Sequence, residues 1–453
     1  MITLDCIVIG AGFSGIQAAL TLHKAKKKFL IVEANPRLGG RTYTTEISPG
    51  YRIDWGGQWI GPGMHRVYRL VEEFKIPLVA TYDHGDHLFE DCNGIEKFSG
   101  ALPAFNPEII QDLDRIVKLI DQLAAAVDTN APWKAPDESG LSDGSIAQWL
   151  DRNVTNACSK RLMKTLFEIQ LAADIERISM LYYLYFVASS GKVLGYFTSV
   201  TGGALQDRFA DGTSSLLLAM SEIFFCEVQF STKITKIVQD NDSVIVHSQN
   251  ESWQAKHVIV TGAPPTSRRI EYLPPLSLQR QHLFEKFFMG SVIKCMLAYK
   301  TPFWREQGLS GQVSSTVGPL ISVCDNSPAN SGLGVLVVFL VAKTAEEFSE
   351  LLPAQRQHLV VGELVKYFTT EARNFLSYQD VCWTKDSEGA FFGLLPPGVL
   401  SIRDLTISEL RVPEARIHWA GSETARQWHG FIEGALESGE RAAAEVIQYL
   451  EQK

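Results

Sequence analysis

Cationic charge is in short supply: 42 Lys and Arg stand against 51 Asp and Glu, a net −9 over 453 residues. A nucleic-acid binder needs a basic footprint for phosphates, so that class is disfavoured. The cluster Lys24–Lys28 (KAKKK) is short and reads as a solvated helix end. Cysteine is sparse and scattered, at positions 6, 92, 158, 226, 295, 324 and 382, with no CxxC pair and an odd total. That pattern fits neither a disulfide framework nor a zinc site, and no metal is expected. It suits reduced thiols in a cytoplasmic protein. Long apolar runs are missing too. GVLVVFLVA at 334–342 is far short of the ~20 residues needed to span a bilayer. No membrane anchor is expected. No secretory leader is expected either, because the first apolar segment, from residue 4, already belongs to a folded motif.

What is present is a globular composition, 45% hydrophobic and 21% charged, in a chain long enough for two or three domains. Its first forty residues carry a strong pattern. Leu4–Ile9 reads as a buried strand, Ile16–Lys24 has helical periodicity, and Lys28–Val32 reads as a second strand ending at Glu33. Between the first strand and the helix, Gly10, Gly12 and Gly15 stand in GxGxxG spacing. Gly10 suits a tight turn, Gly12 a close approach of backbone to pyrophosphate, and Gly15 close helix–strand packing. Phosphates then meet a helix N-terminus, whose free N–H groups and dipole favour negative charge. Glu33 stands where an acid accepts hydrogen bonds from ribose hydroxyls. Gly39-Gly40-Arg41 offers a second approach to phosphate, which a nicotinamide enzyme does not require. With the glycine pair in DWGGQWIGP at 54–62, thin enough to pass a flat ring, it points to FAD.

Taken with NAPWKAP (130–136), TGGALQDRFADG (201–212), GAPPT (262–266), MGSVIKC (289–295), PFW (302–304), SEGAFFGLLPPG (387–398) and HWAGSETARQWHGFIEGALESGERAA (418–443), the chain resembles the flavin-dependent monoamine oxidase family along its full length. The resemblance implies an α/β, two-domain, FAD-binding Rossmann-like fold of the p-hydroxybenzoate-hydroxylase type. The FAD-binding domain would be discontinuous, from residues 1–80, 207–285 and 388–453. A substrate-binding domain mixing sheet and helices would come from 81–206 and 286–387. The first insert reads as mostly helical and the second as strand-rich.

Carried over by motif, the FAD-binding residues are Gly10, Gly12, Ser14, Gly15, Glu33, Gly40, Arg41, Gly57, Ile234, Trp383, Gly421 and Ser422. Ile234 reads equally well, from the residues alone, as an ordinary strand core residue; for Trp383 a core tryptophan is the alternative. Lys294 is the sharpest catalytic candidate, because a lysine in an otherwise apolar strand needs a partner to be buried. In the family it bonds a water beside the flavin. Phe391 and Phe431 occupy the two positions of an aromatic cage, whose ring faces attract an amine and exclude water. Phe392, on the opposite strand face, reads as core. Ala390 stands where mammalian relatives carry the flavin-linking cysteine, so FAD is expected to be held noncovalently. Leu171, Phe197, Leu205, Ser322, Cys324 and Phe339 align with pocket-lining positions, giving a mostly apolar pocket. Leu205 replaces a glutamine common in relatives.

The implied activity is oxidation of a hydrophobic amine to an imine, then an aldehyde or ketone, with dioxygen reduced to hydrogen peroxide. A homodimer is compatible with the resemblance. Two other readings stay open: a related flavoenzyme acting on a larger amine, amide or alkaloid intermediate, and a flavin-binding protein with a silent site.

Overall fold

The computed structural model describes residues 4–100, 103–135, 141, 143–191, 200–329, 331–383, the backbone of 393–394, and 409–452. Its organisation rests on two large sheets. The first has the strand order Val228–Gln229, Phe29–Val32, Leu4–Ile9, Ser252–Val260, Val244–His247, Lys236–Gln239 and Glu271–Leu273. Ile417–Trp419 also pairs with Ser252–Val260. Leu4–Ile9 lies parallel to both of its neighbours, as a βαβ crossover demands. The helix Phe13–Lys24 makes that crossover and packs along the last helix, Ile432–Glu451.

The second sheet has the order Ser377–Cys382, Val292–Tyr299, Gly334–Val341, Ser322–Asp325, Leu309–Ser315, Asp86–Asp91 and Gly94–Phe98. Every residue of Val292–Tyr299 is buried, because both faces of this strand are covered. Ile293, Cys295 and Leu297 enter one core with Trp304 and Phe368. Val292, Met296 and Ala298 enter another with Trp55 and Trp383. Lys294 has the parity of the second set. The period-two alternation of a strand therefore sends a lysine into the core shared with the Trp55 segment.

Helices Pro107–Ala125, Ile146–Asn153, Ala157–Leu171 and Met180–Ser189 form a third layer around a core of their own. Their starts are written in sequence. Asn106, Asn156 and Ser179 accept from first-turn N–H groups, and Ser145 closes a capping box with Gln148. Met180–Ser189 is buried on every side. The predicted strand Lys28–Val32 begins one residue later, at Phe29, and the last helix begins at Ile432 with Phe431 as its N-cap. Of SEGAFFGLLPPG, only Gly393–Leu394 is described, as a short strand beside Phe288–Met289. Ala390, Phe391, Phe392 and Phe197 lie outside the described residues.

Candidate active site

The glycine turn has the geometry that its spacing predicts. Gly10 adopts φ +105°, and a Cβ there would stand 2.3 Å from Thr261 Oγ1. A Cβ on Gly15 would stand 1.9 Å from the Gly10 carbonyl, so only glycine lets this helix meet its strand. Gly12 differs: its Cβ would meet nothing closer than 3.6 Å, at the Gly39 carbonyl. A Cβ there would be in ordinary van der Waals contact with Gly39, so packing within the chain does not force this glycine; as the N-cap, Gly12 brings no side chain over the first turn, where a pyrophosphate would approach. The two glycine-rich turns lie back to back. Gly39 N donates to Ala11 O at 2.9 Å, and a Cβ on Gly40 would approach Gly12 Cα at 3.9 Å.

Glu33 is buried at the end of its strand. Its Oε2 accepts from Ala11 N at 2.7 Å, and its Oε1 from Asn35 N at 2.8 Å and Asn35 Nδ2 at 3.0 Å. An ionised carboxylate has about four acceptor sites, so capacity for a ribose hydroxyl is left. Thr232 N bonds Glu33 O at 2.8 Å, which brings the following segment alongside. Ile234, in that segment, is buried in the core with Ile7 and Val32.

The C-terminal motif returns to this turn. Gly421, at φ +108°, donates its N–H towards Ser14 Oγ at 2.9 Å and Ser438 Oγ at 3.1 Å. Arg41 grips Glu423 with both Nη atoms, and its Nη2 lies 3.2 Å from Ser422 Oγ. Burial alone would raise the Glu423 pKa. The Arg41 charge and hydrogen bonds outweigh it, and the carboxyl is pulled down to about 2. The sequence reading picked out Arg41 and Ser422 but passed over Glu423 between Ser422 and Thr424. An arginine in a glycine turn needs an anchoring anion, and that is the available signal.

Lys294 is 2% exposed. Its Nζ donates to Asp54 O at 2.6 Å, Gly56 O at 3.0 Å and Gln58 Oε1 at 2.6 Å. The rings of Trp59 and Phe339 flank it at 5.6 and 5.5 Å. Burial lowers its pKa from 10.5 to about 7; the Asp54 carboxylate resists this and Arg208 assists it. The three protein oxygens match the three hydrogens of an ammonium. All three belong to DWGGQWIGP, a segment whose pattern singles out only its glycines. Those glycines divide the work. A Cβ on Gly56 would lie 1.9 Å from Arg41 O, whereas Gly57 has only Thr42 Cγ2 nearby, at 3.9 Å. Trp383 is buried just past Ser377–Cys382 and donates Nε1–H to Trp55 O at 3.0 Å.

Sheet register gathers part of the expected pocket. Lys294 is opposite Phe339, and Phe339 is opposite Ser322, so the three form one row across adjacent strands. Cys324 is two residues further along the same face, with Sγ 3.8 Å from Ser322 Oγ. Leu171 is buried at the end of its helix, and Leu205 is half-buried in the turn before Asp207–Phe209. Phe431 belongs to another aromatic wall. It stacks on Phe186 at 5.7 Å and 22°, and meets Trp428 edge-on at 5.4 Å.

Comparison with known proteins accords with this arrangement. The profile of flavin containing amine oxidoreductases matches residues 13–447. A Mycobacterium tuberculosis protein named flavin-containing monoamine oxidase AofH is 32% identical, over 99% of this chain and 97% of its own. Flavin-containing amine oxidase B of Sus scrofa is 29% identical, over 98% of this chain and 86% of its own. Cyclohexylamine oxidase from Brevibacterium oxydans IH-35A superposes with a TM-score of 0.92 at 26% identity, covering 99% of this chain and 100% of its own. Putrescine oxidase bound to putrescine does so with a TM-score of 0.94 at 26% identity, covering 99% of both chains. Among the described residues no helix is long and apolar enough to cross a membrane. The glycine turn at a helix N-terminus, with no side chain at its N-cap, and the Glu33 and Arg41 anchors fit FAD, held noncovalently with alanine at position 390. The chain belongs to the family of flavin-containing amine oxidoreductases and is an FAD-dependent amine oxidase.

Proposed function

We propose that the substrate is a hydrophobic aromatic, alicyclic or aliphatic amine, oxidised at its α-carbon, with dioxygen as acceptor and hydrogen peroxide as co-product. The imine then hydrolyses to an aldehyde or ketone. The observation that carries this reading is Lys294: a buried amine held by three oxygens, between two rings, in a row with Phe339 and Ser322. None of the described pocket candidates, Leu171, Leu205, Ser322, Cys324 and Phe339, is acidic. That favours a monoamine over a diamine, whose second ammonium would need a carboxylate.

We take 1–80, 207–285 and 388–453 as the FAD-binding unit, in keeping with the strands of the first sheet, and 81–206 with 286–387 as the substrate unit. Gly10, Gly12, Ser14 and Gly15 would hold the pyrophosphate side, with Gly40, Arg41, Gly421 and Ser422. Glu33 and Ile234 would take the adenosine end, and Gly57 and Trp383 the ring end. Bound FAD supplies the two-electron acceptor. The chain's own part is orientation and desolvation. Apolar walls favour the uncharged amine, the form able to release electrons from its α-carbon. Phe431, paired with Phe391, would present ring faces to the incoming nitrogen. A lysine with its pKa brought down to about 7 also opposes an approaching cation less than a surface lysine would. The seven unpaired cysteines suit a cytoplasmic location.

The test is a panel of monoamines, diamines and bulkier cyclic amines, read by peroxide release and by anaerobic bleaching of the flavin. Peroxide with small hydrophobic monoamines supports the proposal. Bleaching only with the bulky amines would reassign the substrate. No bleaching with any amine would leave a flavin-binding protein without this chemistry.

A further inference from the structure

Around Lys294 lies a set of buried polar side chains that the proposed chemistry does not use. Asn326 and Arg208 are 3% and 8% exposed, and Gln58 is 2% exposed. Arg208 Nη1 donates to Asn326 Oδ1, and Arg208 Nη2 to Ser327 O at 3.2 Å. Gln58 Nε2 donates to the same Asn326 Oδ1 at 2.8 Å, and Gln58 Oε1 accepts from Lys294 Nζ at 2.6 Å.

The chemistry of these groups gives the chain a direction. A guanidinium has five N–H donors and no acceptor, so it can only meet the oxygen end of the Asn326 amide. Once that oxygen faces Arg208 and Gln58, Gln58 must answer with its NH2 group. Its own oxygen is then turned to Lys294. Asn326 Nδ2 points the other way, 3.7 Å from Met296 Sδ, a weak acceptor that does little to hold the amide by itself.

We propose that Arg208 and Asn326 are positioning residues for Lys294: through the shared Asn326 oxygen they lock the Gln58 amide with its oxygen, not its NH2, against the lysine amine. This rests on the reading of Lys294 as the functional amine of the site. The arrangement matters because an oxygen acceptor stabilises the ammonium, whereas an NH2 group there stabilises only the free amine. Charge alone would act in the opposite sense. The Arg208 cation disfavours the Lys294 ammonium, while the Asp54 carboxylate favours it, and Cys324 also faces the site. Asp325 completes the charged surroundings of Arg208 and is itself bonded by Arg305 Nε at 2.7 Å. Removing Arg208 therefore separates two effects with opposite signs.

The experiment follows the titration of Lys294 itself in the FAD-loaded protein, by the shift of its 13C-labelled ε-carbon, assigned from its disappearance in Lys294→Met. Arg208→Gln removes the charge but keeps an NH2 donor for Asn326. Arg208→Met removes both. Direct charge effects predict the same raised midpoint for the two. The amide lock predicts a midpoint at least about half a pH unit lower in Arg208→Met than in Arg208→Gln. Adding Gln58→Glu to each should erase the difference, because a carboxylate has no wrong end. Asn326→Ala alters no charge and is the independent variant should Arg208→Met not fold. The lock predicts a lowered Lys294 midpoint there, whereas charge alone predicts none. Equal midpoints in the Arg208 pair, or an unmoved midpoint in Asn326→Ala, would overturn the proposal. If turnover ignored Lys294→Met, the functional reading would fall, yet this titration would still decide the lock.

Discussion

Lys294 Nζ lies 2.6 Å from the main-chain oxygen of Asp54, a residue 240 positions earlier in the chain. The contact joins the middle of the second sheet to the segment beside the first glycine turns. The Asp54 carboxylate in turn accepts from Thr44 Oγ1 at 2.5 Å and from Thr213 N and Oγ1 at 3.0 and 2.8 Å. The lysine is thus seated on backbone that is itself braced.

Lys294→Met should slow flavin reduction or reoxidation while the protein stays folded, and stopped-flow traces of both half-reactions check this. Unchanged rates in both would remove Lys294 from the mechanism. Its stability signature has a defined sign. The lysine pKa is about 7 folded and 10.5 unfolded, so between these values the unfolded chain binds more protons and wild-type stability rises with pH. The melting temperature of Lys294→Met, less that of wild type, should therefore fall from pH 7 to pH 10.5. A difference flat across that window means that the amine is not depressed.

Glu33→Ala should weaken FAD retention more than it alters turnover in whatever holoenzyme remains. Hydrogen bonds to a charged group are worth ~1.5–3 kcal/mol each, and the alanine also strands the Ala11 N–H. Glu33→Gln, keeping one acceptor oxygen, should lose less. Flavin released on dilution and on heat denaturation is the measurement. Normal affinity in the alanine variant would move the ribose contact elsewhere, and flavin left on precipitated wild-type chain would contradict noncovalent binding.

The Arg41–Glu423 pair should be visible in acid. Glu423 drops from 4.5 unfolded to about 2 folded, so its contribution is present above pH 4.5 and is lost as pH falls towards 2. At about 1.4 kcal/mol per pKa unit this is ~3 kcal/mol. Glu423→Gln should melt below wild type at pH 7, with the gap closing as pH falls through that window. A gap that does not change with pH would mean that the carboxylate charge is not what is lost.

Phe431→Ala should lower kcat/KM for amines by about tenfold or more, since a desolvated ring face can contribute the roughly 1.4 kcal/mol that makes one decade. Phe431→Tyr keeps the ring and should stay close to wild type. Phe431 also packs on Phe186 and Trp428, so a thermal melt must accompany the kinetics. Equal losses in Ala and Tyr would argue against a ring-face role. Phe391→Ala should repeat the Phe431→Ala loss, and the double variant should lose less than the product of the two, because either opening admits water.

The sequence by itself determined the local pieces. Gly10, Gly15 and Glu33 were legible because a tight turn, a close helix crossing and a terminal acid each need one residue type at one spacing. The helix caps at Asn106, Ser145 and Ser179 are local too, each satisfied within three residues. Lys294 stood out because a cation in an apolar strand is anomalous. Only the tertiary structure decided what that lysine meets. Its acceptors come from Asp54, Gly56 and Gln58, the Gln58 amide is turned by Asn326 and Arg208, and its row with Phe339 and Ser322 comes from strand register. None of these leaves a local pattern. A buried charge is satisfied by whichever oxygens the packing of distant segments delivers, and the same physics joined Arg41 to Glu423 across the fold.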